Sequence, residues 1–324
     1  MRIMRKALVV GIDDYSQCQL RGCCNDADEV EKILSFDGDG SPNFSVRLEK
    51  NISKKAILRR LIEECFSGDD DVALFYYSGH GHIDNVGGYL VTPDFTDNDY
   101  GISLQEVLNI ANDSHCKDKI IILDSCYSGF MGSISTKGQT TAVINEGVTI
   151  LTASRSIEPS VEINGHGLFT SLLIEALCCG ADITGYITPG GIYAYIDKAL
   201  GPCEQLPVFK TNVTRFTPLR KVKPQVDISI IRRICRYFPS EDAEMPIAPS
   251  FEPTNLLDVK HEVIQPCANP DYTKIFSDLQ KLEGIGLVVP VGEDHMYFAA
   301  MRSKTCALTS IGKQYWRLVK GNLI

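Results

Sequence analysis

Short apolar runs recur along the first two thirds of the chain, each halting at polar residues or glycine. They are Lys6–Ile12, Phe44–Leu48, Asp71–Tyr77, Ile120–Leu123 and Val148–Ala153. Continuous runs of branched and aromatic residues predict strands covered on both faces, as in a parallel sheet. Between them the period changes to that of a helix. Over Ser53–Phe66, the residues Ile57, Leu58, Leu61, Ile62, Cys65 and Phe66 share one face, with Lys54, Lys55, Arg59, Arg60, Glu63 and Glu64 opposite. Another helix should start at an N-cap, Asn25 or Asp26, and pass through Val30, Ile33 and Leu34. Ser103 and Glu106 fit a capping box. Phe169–Cys178 and Pro189–Leu200 read as helices, Tyr89–Thr92 as part of a small hairpin and Pro207–Thr211 as an edge strand. The alternation predicts an α/β domain over residues 1–220.

Two of these strands end in reactive side chains. The run Asp71–Tyr77 leads into Ser78-Gly79-His80-Gly81-His82, and Ile120–Leu123 leads into Asp124-Ser125-Cys126 and on to Gly129. Open α/β sheets expose functional groups at the carboxyl ends of their strands. An imidazole near a thiol can take its proton or stabilise the thiolate. Gly79 and Gly81 allow a tight turn around His80 and leave room for a substrate carbonyl. His80 precedes Cys126 by 46 residues. Taken alone, His80 could be a core histidine. His82 completes an H-x-H pattern, yet the sequence supplies no third metal ligand beside it. Asp124, buried at a strand end, needs a partner such as an arginine or lysine guest; otherwise it only caps the strand.

The S-G-H-G and D-S-C-x-S-G pair resembles the caspase superfamily, of the metacaspase and prokaryotic caspase-like type; the animal Q-A-C-x-G is absent. Gly22-Cys23-Cys24-Asn25-Asp26-Ala27 is similar to the metacaspase G-C-x-N-D-A, and the run G-H-G-L-F-T with the later Q-L-P-V-F is similar to the small-subunit part of prokaryotic members. The resemblance implies a caspase-haemoglobinase fold: a central, mostly parallel sheet with helices on both faces. It implies a large-subunit part over about residues 1–130, a linker over about 131–147 and a small-subunit part over about 148–220. Cys126 would be the nucleophile and His80 its acid–base partner, with the Gly81 and Cys126 backbone N–H groups holding the oxyanion. Asp26 and Asp124, with Ser154 and Glu162, would form a pocket for arginine or lysine at P1. Without the resemblance, Asp26 is a helix cap and Glu162 is solvated. The linker, rich in Ser, Thr and Gly, has one basic residue, Lys137, as the candidate for self-cleavage of a zymogen. Many metacaspases need calcium. Asp94, Asp97 and Asp99 follow the histidine loop but do not map onto the family's ligands, so the expectation is no cofactor, with calcium left open.

Lys221–Pro224 reads as a linker to a second domain over 221–324. Its pattern runs helix (Ile228–Phe238), proline-rich loop (239–253), helix (Tyr272–Leu282), hairpin (Gly286–Val291 with Met296–Met301) and helix (Leu308–Leu318). That order is similar to a winged-helix module, a small α+β domain. Lys274 and Lys281 stand against Asp278 and Glu283, a balance that disfavours a DNA-reading helix and favours a sensor or partner-binding role.

Charge separates the two parts. Residues 1–220 hold 19 Lys and Arg against 29 Asp and Glu, a net of −10, and residues 221–324 carry +1. The acidic first part disfavours nucleic acid and suits basic substrates, and solubility alone accounts for it equally well. The 12 cysteines include no C-x-x-C pair, and Cys65, Cys178 and Cys235 fall where elements would be buried. With no signal peptide and no spanning apolar run, the expectation is a reduced, cytoplasmic protein without a membrane partner. The resemblance implies protein or peptide substrates and a role in prokaryotic antiviral defence or cell suicide. Its trigger would act at the second domain, as a partner protein or a nucleotide-derived messenger. The competing reading is a catalytically silent caspase-fold scaffold, against which the intact His80 and Cys126 stand.

Overall fold

The computed structural model describes residues 4–16, 18–85, 87–125, 134–136, 139–141, 143–153, 162–163, 166–180, 183–200, 207–256 and 263–324. The chain divides into two compact units, residues 1–223 and 224–324.

The first unit opens with β1 (Arg5–Gly11), α1 (Cys23–Ser35), β2 (Ser45–Lys50), α2 (Lys55–Phe66) and β3 (Val72–Ser78). Then come β4 (Gly81–Ile83), β5 (Gly88–Thr96), β6 (Asp99–Ser103), α3 (Leu104–Asn112) and β7 (Asp118–Asp124). After β8 (Ile134–Thr136) and β9 (Gln139–Thr141) follow β10 (Val148–Thr152), β11 (Glu162–Ile163), β12 (His166–Gly167) and α4 (Leu168–Cys179). β13 (Tyr186–Ile187), α5 (Pro189–Leu200), β14 (Val208–Asn212) and β15 (Arg220–Lys221) complete it.

The main sheet has the order β14-β10-β7-β3-β1-β2. All its neighbours run parallel except the edge pair β10 and β14. Every residue of β3 is buried, which is why its sequence is apolar without alternation. Successive residues still serve opposite faces. Phe75, Tyr77, Ile121 and Leu123 pack with Leu58, Leu61 and Ile62 of α2 and Val107 and Leu108 of α3. Leu74, Tyr76, Ile120 and Ile122 pack with Val30 and Leu34 of α1, Leu173 and Leu177 of α4, and Ile192 and Ile196 of α5. Burying each such side chain contributes roughly 1.5–3 kcal/mol. The two layers therefore fix the sheet and, with it, the strand ends that carry the polar residues.

The second unit contains α6 (Ile228–Ile231), α7 (Ile234–Tyr237), β16 (Glu244–Pro246), a 3₁₀ turn (Pro249–Phe251), α8 (Pro270–Gly284), β17 (Val288–Val291), α9 (Met296–Met301), β18 (Thr305–Leu308) and α10 (Ser310–Lys320). Its antiparallel sheet has the order β16-β18-β17. A half-buried triad joins its helices: Arg233 Nε donates to Asp278 Oδ2 at 2.7 Å, and Tyr237 Oη donates to the same oxygen at 2.5 Å.

Several expectations need correction. Met296–Met301 is a helix, and β17 pairs instead with Thr305–Leu308. Met296, Ala299 and Ala300 are buried at helical spacing, a period masked by the aromatic pair Tyr297 and Phe298. Ile228–Phe238 is two short helices; four isoleucines in that stretch are stiff, weak helix formers. The 239–253 segment holds β16 and the 3₁₀ turn, and the 131–147 linker holds the antiparallel pair β8 and β9. Cys178 is exposed, and the ten described cysteines are all free. No described helix is long and apolar enough to cross a membrane.

Candidate active site

The carboxyl ends of β1, β3 and β7 meet in register, with Gly11 opposite Ser78 and Ser78 opposite Asp124. His80 follows β3 by two residues, and its backbone is held at both ends. Its N–H donates to Tyr15 Oη at 3.1 Å, and its carbonyl accepts from Val91 N at 3.0 Å and Tyr77 Oη at 3.2 Å. The Tyr15 and Tyr77 hydroxyls lie 3.1 Å apart in the interior. Burial raises both phenols, so they remain hydroxyl donors across the ordinary pH range. Glycine is required at position 79 because of them. A Cβ there would stand 2.6 Å from Tyr77 Oη and 2.8 Å from Tyr15 Oη.

The His80 ring is fixed as well. Tyr15 meets it edge-on with centroids 4.5 Å apart, and Nε2 lies 2.6 Å from the backbone oxygen of Cys18. A carbonyl can only accept, so Nε2 carries the proton and donates it. The neutral ring then holds its free lone pair on Nδ1, the form a general base requires. The same 13–20 segment starts α1: Asp13 accepts from Cys23 N at 2.9 Å and Cys24 N at 3.1 Å. A side chain from the preceding loop thus satisfies two free amides of the helix. The helix begins at Cys23, so Asn25 and Asp26 lie inside its first turn and do not cap it.

Released from capping, Asp26 turns inward. It is 1% exposed and accepts from Ser78 Oγ at 3.1 Å, His166 Nδ1 at 2.8 Å and Gly167 N at 3.3 Å. Asp124, 5% exposed, accepts from Thr170 Oγ1 at 2.7 Å and Thr170 N at 3.2 Å. Tyr76 Oη is 2.7 Å from the Thr170 hydroxyl. Both carboxylates flank Gly167: a Cβ there would lie 2.5 Å from Asp124 Oδ2 and 3.4 Å from Asp26 Oδ2. Burial pushes Asp124 up to about 6; Thr170 opposes this and the Asp26 charge adds to it. Burial also raises Asp26, while His166, Gly167 and Ser78 pull it back. Two carboxylates held so close inside the protein form a socket that favours a cation.

The sequence profile of the caspase domain matches residues 4–215. The chain belongs to the caspase family. Metacaspase-9 of Arabidopsis thaliana is 34% identical over 87 residues, covering 24% of this chain and 27% of that protein. The match therefore spans about a quarter of the plant protein. Among solved structures, a protein of Geobacter sulfurreducens aligns over 68% of this chain and 100% of its own, with 15% identity and a TM-score of 0.48. Caspase-1 of Spodoptera frugiperda aligns over 68% of this chain and 91% of its own, with 15% identity and a TM-score of 0.49.

In this caspase-family chain, Gly81 opens β4 opposite Leu90. Glu162 sits in β11 with its backbone opposite Gly167. Cys126, Lys137 and Ser154 lie outside the described residues. His82 stacks on Tyr100 with centroids 3.8 Å apart. Asp94 accepts from Lys55 N at 3.0 Å at the start of α2, and Asp99 pairs with Lys55 Nζ at 2.7 Å. Those two carboxylates serve α2, and among the described residues no group of three His, Cys, Asp or Glu side chains is placed to hold a metal ion. Sequence reasoning missed Tyr15, the Cys18 carbonyl, Thr170 and His166. Of these, His166 and Thr170 lay in a run already singled out, G-H-G-L-F-T, but neither was given a role there.

Proposed function

We propose that the chain is a cysteine endopeptidase that cleaves proteins after arginine or lysine. The observation that carries this reading is the pair of buried carboxylates, Asp26 and Asp124, converging on Gly167 beside the strand that leads to His80. An acidic P1 side chain would meet two like charges there, and an apolar one would leave both carboxylates without a counter-charge. The family membership supports the peptidase class. Register supports the pairing of the reactive groups: Ser78 and Asp124 are partners, and His80 and Cys126 each follow by two residues in sequence.

In this mechanism His80 Nδ1 takes the Cys126 thiol proton, and the thiolate attacks the carbonyl carbon after the basic residue. His80 then protonates the leaving amine, and an acyl-enzyme thioester remains. Water, losing its proton to His80, releases the acid and restores the thiol. The Cys18 carbonyl, by holding the Nε2 proton, stabilises the imidazolium that forms in both half-reactions. The Gly81 and Cys126 N–H groups are the oxyanion donors in this scheme.

The test is a panel of fluorogenic peptides with Arg, Lys or Asp at P1, run on wild type and Cys126→Ala. Cleavage after Arg or Lys, lost in Cys126→Ala, is the expected result. Cleavage after Asp, or cleavage that survives in Cys126→Ala, would reject it. No cleavage of any peptide, with no amidine binding to the socket, would leave the scaffold reading in its place. Residues 224–324 would carry the regulatory input, and intact-mass analysis of wild type against Cys126→Ala would detect self-cleavage after Lys137.

A further inference from the structure

Asp26 already holds an occupant. Its Oδ1 accepts from His166 Nδ1 at 2.8 Å, and its Oδ2 accepts from Ser78 Oγ and the Gly167 N–H. The Asp26 side chain is only 2% exposed, so a guanidinium cannot reach Oδ1 while the imidazole remains. The three donors differ in how firmly they are fixed. Ser78 is buried at the end of a central strand, and the Gly167 N–H belongs to the backbone that enters α4. The His166 side chain is 30% exposed, with solvent on one side and Asp26 on the other.

We propose that His166 is the resident occupant of the acidic socket, a built-in stand-in for the P1 side chain, and that substrate binding displaces its imidazole from Asp26. The inference rests on the basic-P1 reading above and adds a specificity-determining residue to it.

The geometry gives the exchange its selectivity. An imidazole N–H on a carboxylate oxygen reproduces one arm of the guanidinium–carboxylate contact. Rotation of one half-exposed side chain removes it and leaves the Ser78 and Gly167 bonds in place. The vacated oxygen is buried, and a buried carboxylate stripped of its partner is costly. Only a P1 side chain that brings its own N–H donors and positive charge compensates. A neutral P1 group leaves Oδ1 bare, and an acidic one adds repulsion from Asp26 and Asp124. His166 therefore competes with basic substrates and helps to exclude all others.

The probe is p-aminobenzamidine, an aryl amidine that carries the guanidinium-like cation without a scissile bond. Its fluorescence is titrated into Cys126→Ala, alone and combined with His166→Ala, His166→Gln or His166→Lys. A hydrogen bond to a charged group is worth about 1.5–3 kcal/mol. Removing the competitor should thus tighten amidine binding by about tenfold or more. His166→Gln, a weaker donor, should fall between, and His166→Lys, whose ammonium stays in the socket, should abolish binding. With peptides, His166→Ala should raise kcat/KM for Arg at P1 through KM, and leave Asp at P1 uncleaved.

Amidine binding that is unchanged or weaker in a His166→Ala variant with native melting behaviour would overturn the proposal, because His166 would then be supporting Asp26 for the substrate. If His166→Ala unfolds, the Gln and Lys variants decide in the same terms. Asp26→Asn separates this from the underlying reading. Loss of amidine binding on that change keeps the socket whatever His166 does, and indifference to it removes the socket itself.

Discussion

The His80 ring is held by the backbone carbonyl of Cys18, 2.6 Å from Nε2, and among the described residues by no carboxylate. The third group of the candidate site is thus a peptide oxygen, supplied by the loop between β1 and α1. Its orientation depends on the loop and is independent of the thiol that residue 18 carries. Cys18→Ala should therefore keep kcat/KM within about twofold of wild type. A loss above tenfold at an unchanged melting temperature would assign a role to the sulfur and refute the carbonyl account.

Tyr15 is the second anchor. Its hydroxyl accepts the His80 N–H and lies 3.1 Å from Tyr77 Oη. Tyr15→Phe keeps the ring against the imidazole but leaves that N–H without its acceptor. An orphaned buried donor costs about 1–3 kcal/mol, visible as a lower midpoint in urea. The loss of peptidase activity should fall in kcat more than in KM, because Tyr15 positions His80 and does not line the acidic socket. An equal loss in both, or none, would contradict this.

The sheet was legible because buried parallel strands need unbroken apolar sequence, and Asp71–Tyr77, Ile120–Leu123 and Val148–Ala153 supply it. β3, β7 and β10 lie within a residue or so of those runs. The helices α2, α4 and α5 were legible from period and punctuation, and Ser103 does cap α3 by accepting from Glu106 N. The site was readable only in part. From its local pattern alone Asp26 read as a helix cap, and only the family resemblance pointed it toward a P1 pocket. The actual capping carboxylate, Asp13, lies ten residues before Cys23, where no local pattern reveals it. Cys18 acts through its carbonyl, which has no side-chain signature. Thr170 and His166 reach Asp124 and Asp26 across 46 and 140 positions, contacts that only the folded layers create. In the second unit, Tyr297 and Phe298 suggested a strand, while the buried Met296, Ala299 and Ala300 make a helix.

Gly167 tests the closeness of the two carboxylates. A methyl group there would press to 2.5 Å on Asp124 Oδ2, and that oxygen is held by both Thr170 donors. Neither side can yield without breaking a buried hydrogen bond. Gly167→Ala should destabilise the protein by about 1–3 kcal/mol and weaken amidine binding by tenfold or more. Calorimetry and the amidine titration read the two effects separately. Native stability together with native affinity would mean that the carboxylates stand farther from Gly167 than the structure has them.

Asp124 makes stability depend on pH in a direction opposite to that of a salt-bridged carboxylate. Its folded value, pushed up to about 6 by burial, lies above the ordinary value near 4 that the unfolded chain shows. Between those values the folded state binds more protons than the unfolded state, so stability falls as pH rises. The loss is complete once pH passes about 6, and amounts to about 3 kcal/mol at most for this one group. Asp26, raised in the same direction, deepens it. Asp124→Asn removes one of the two titrations while keeping the shape and an acceptor for Thr170. The variant should match wild type near pH 4, and gain on it steadily up to pH 6. Its amidine affinity at pH 7 should fall at least tenfold, since half the socket's charge is gone. Urea denaturation at intervals from pH 4 to 7 measures the first effect. Parallel wild-type and variant profiles across that window would show that Asp124 is already ionised in the folded protein, and that the socket is more open to water than its burial implies.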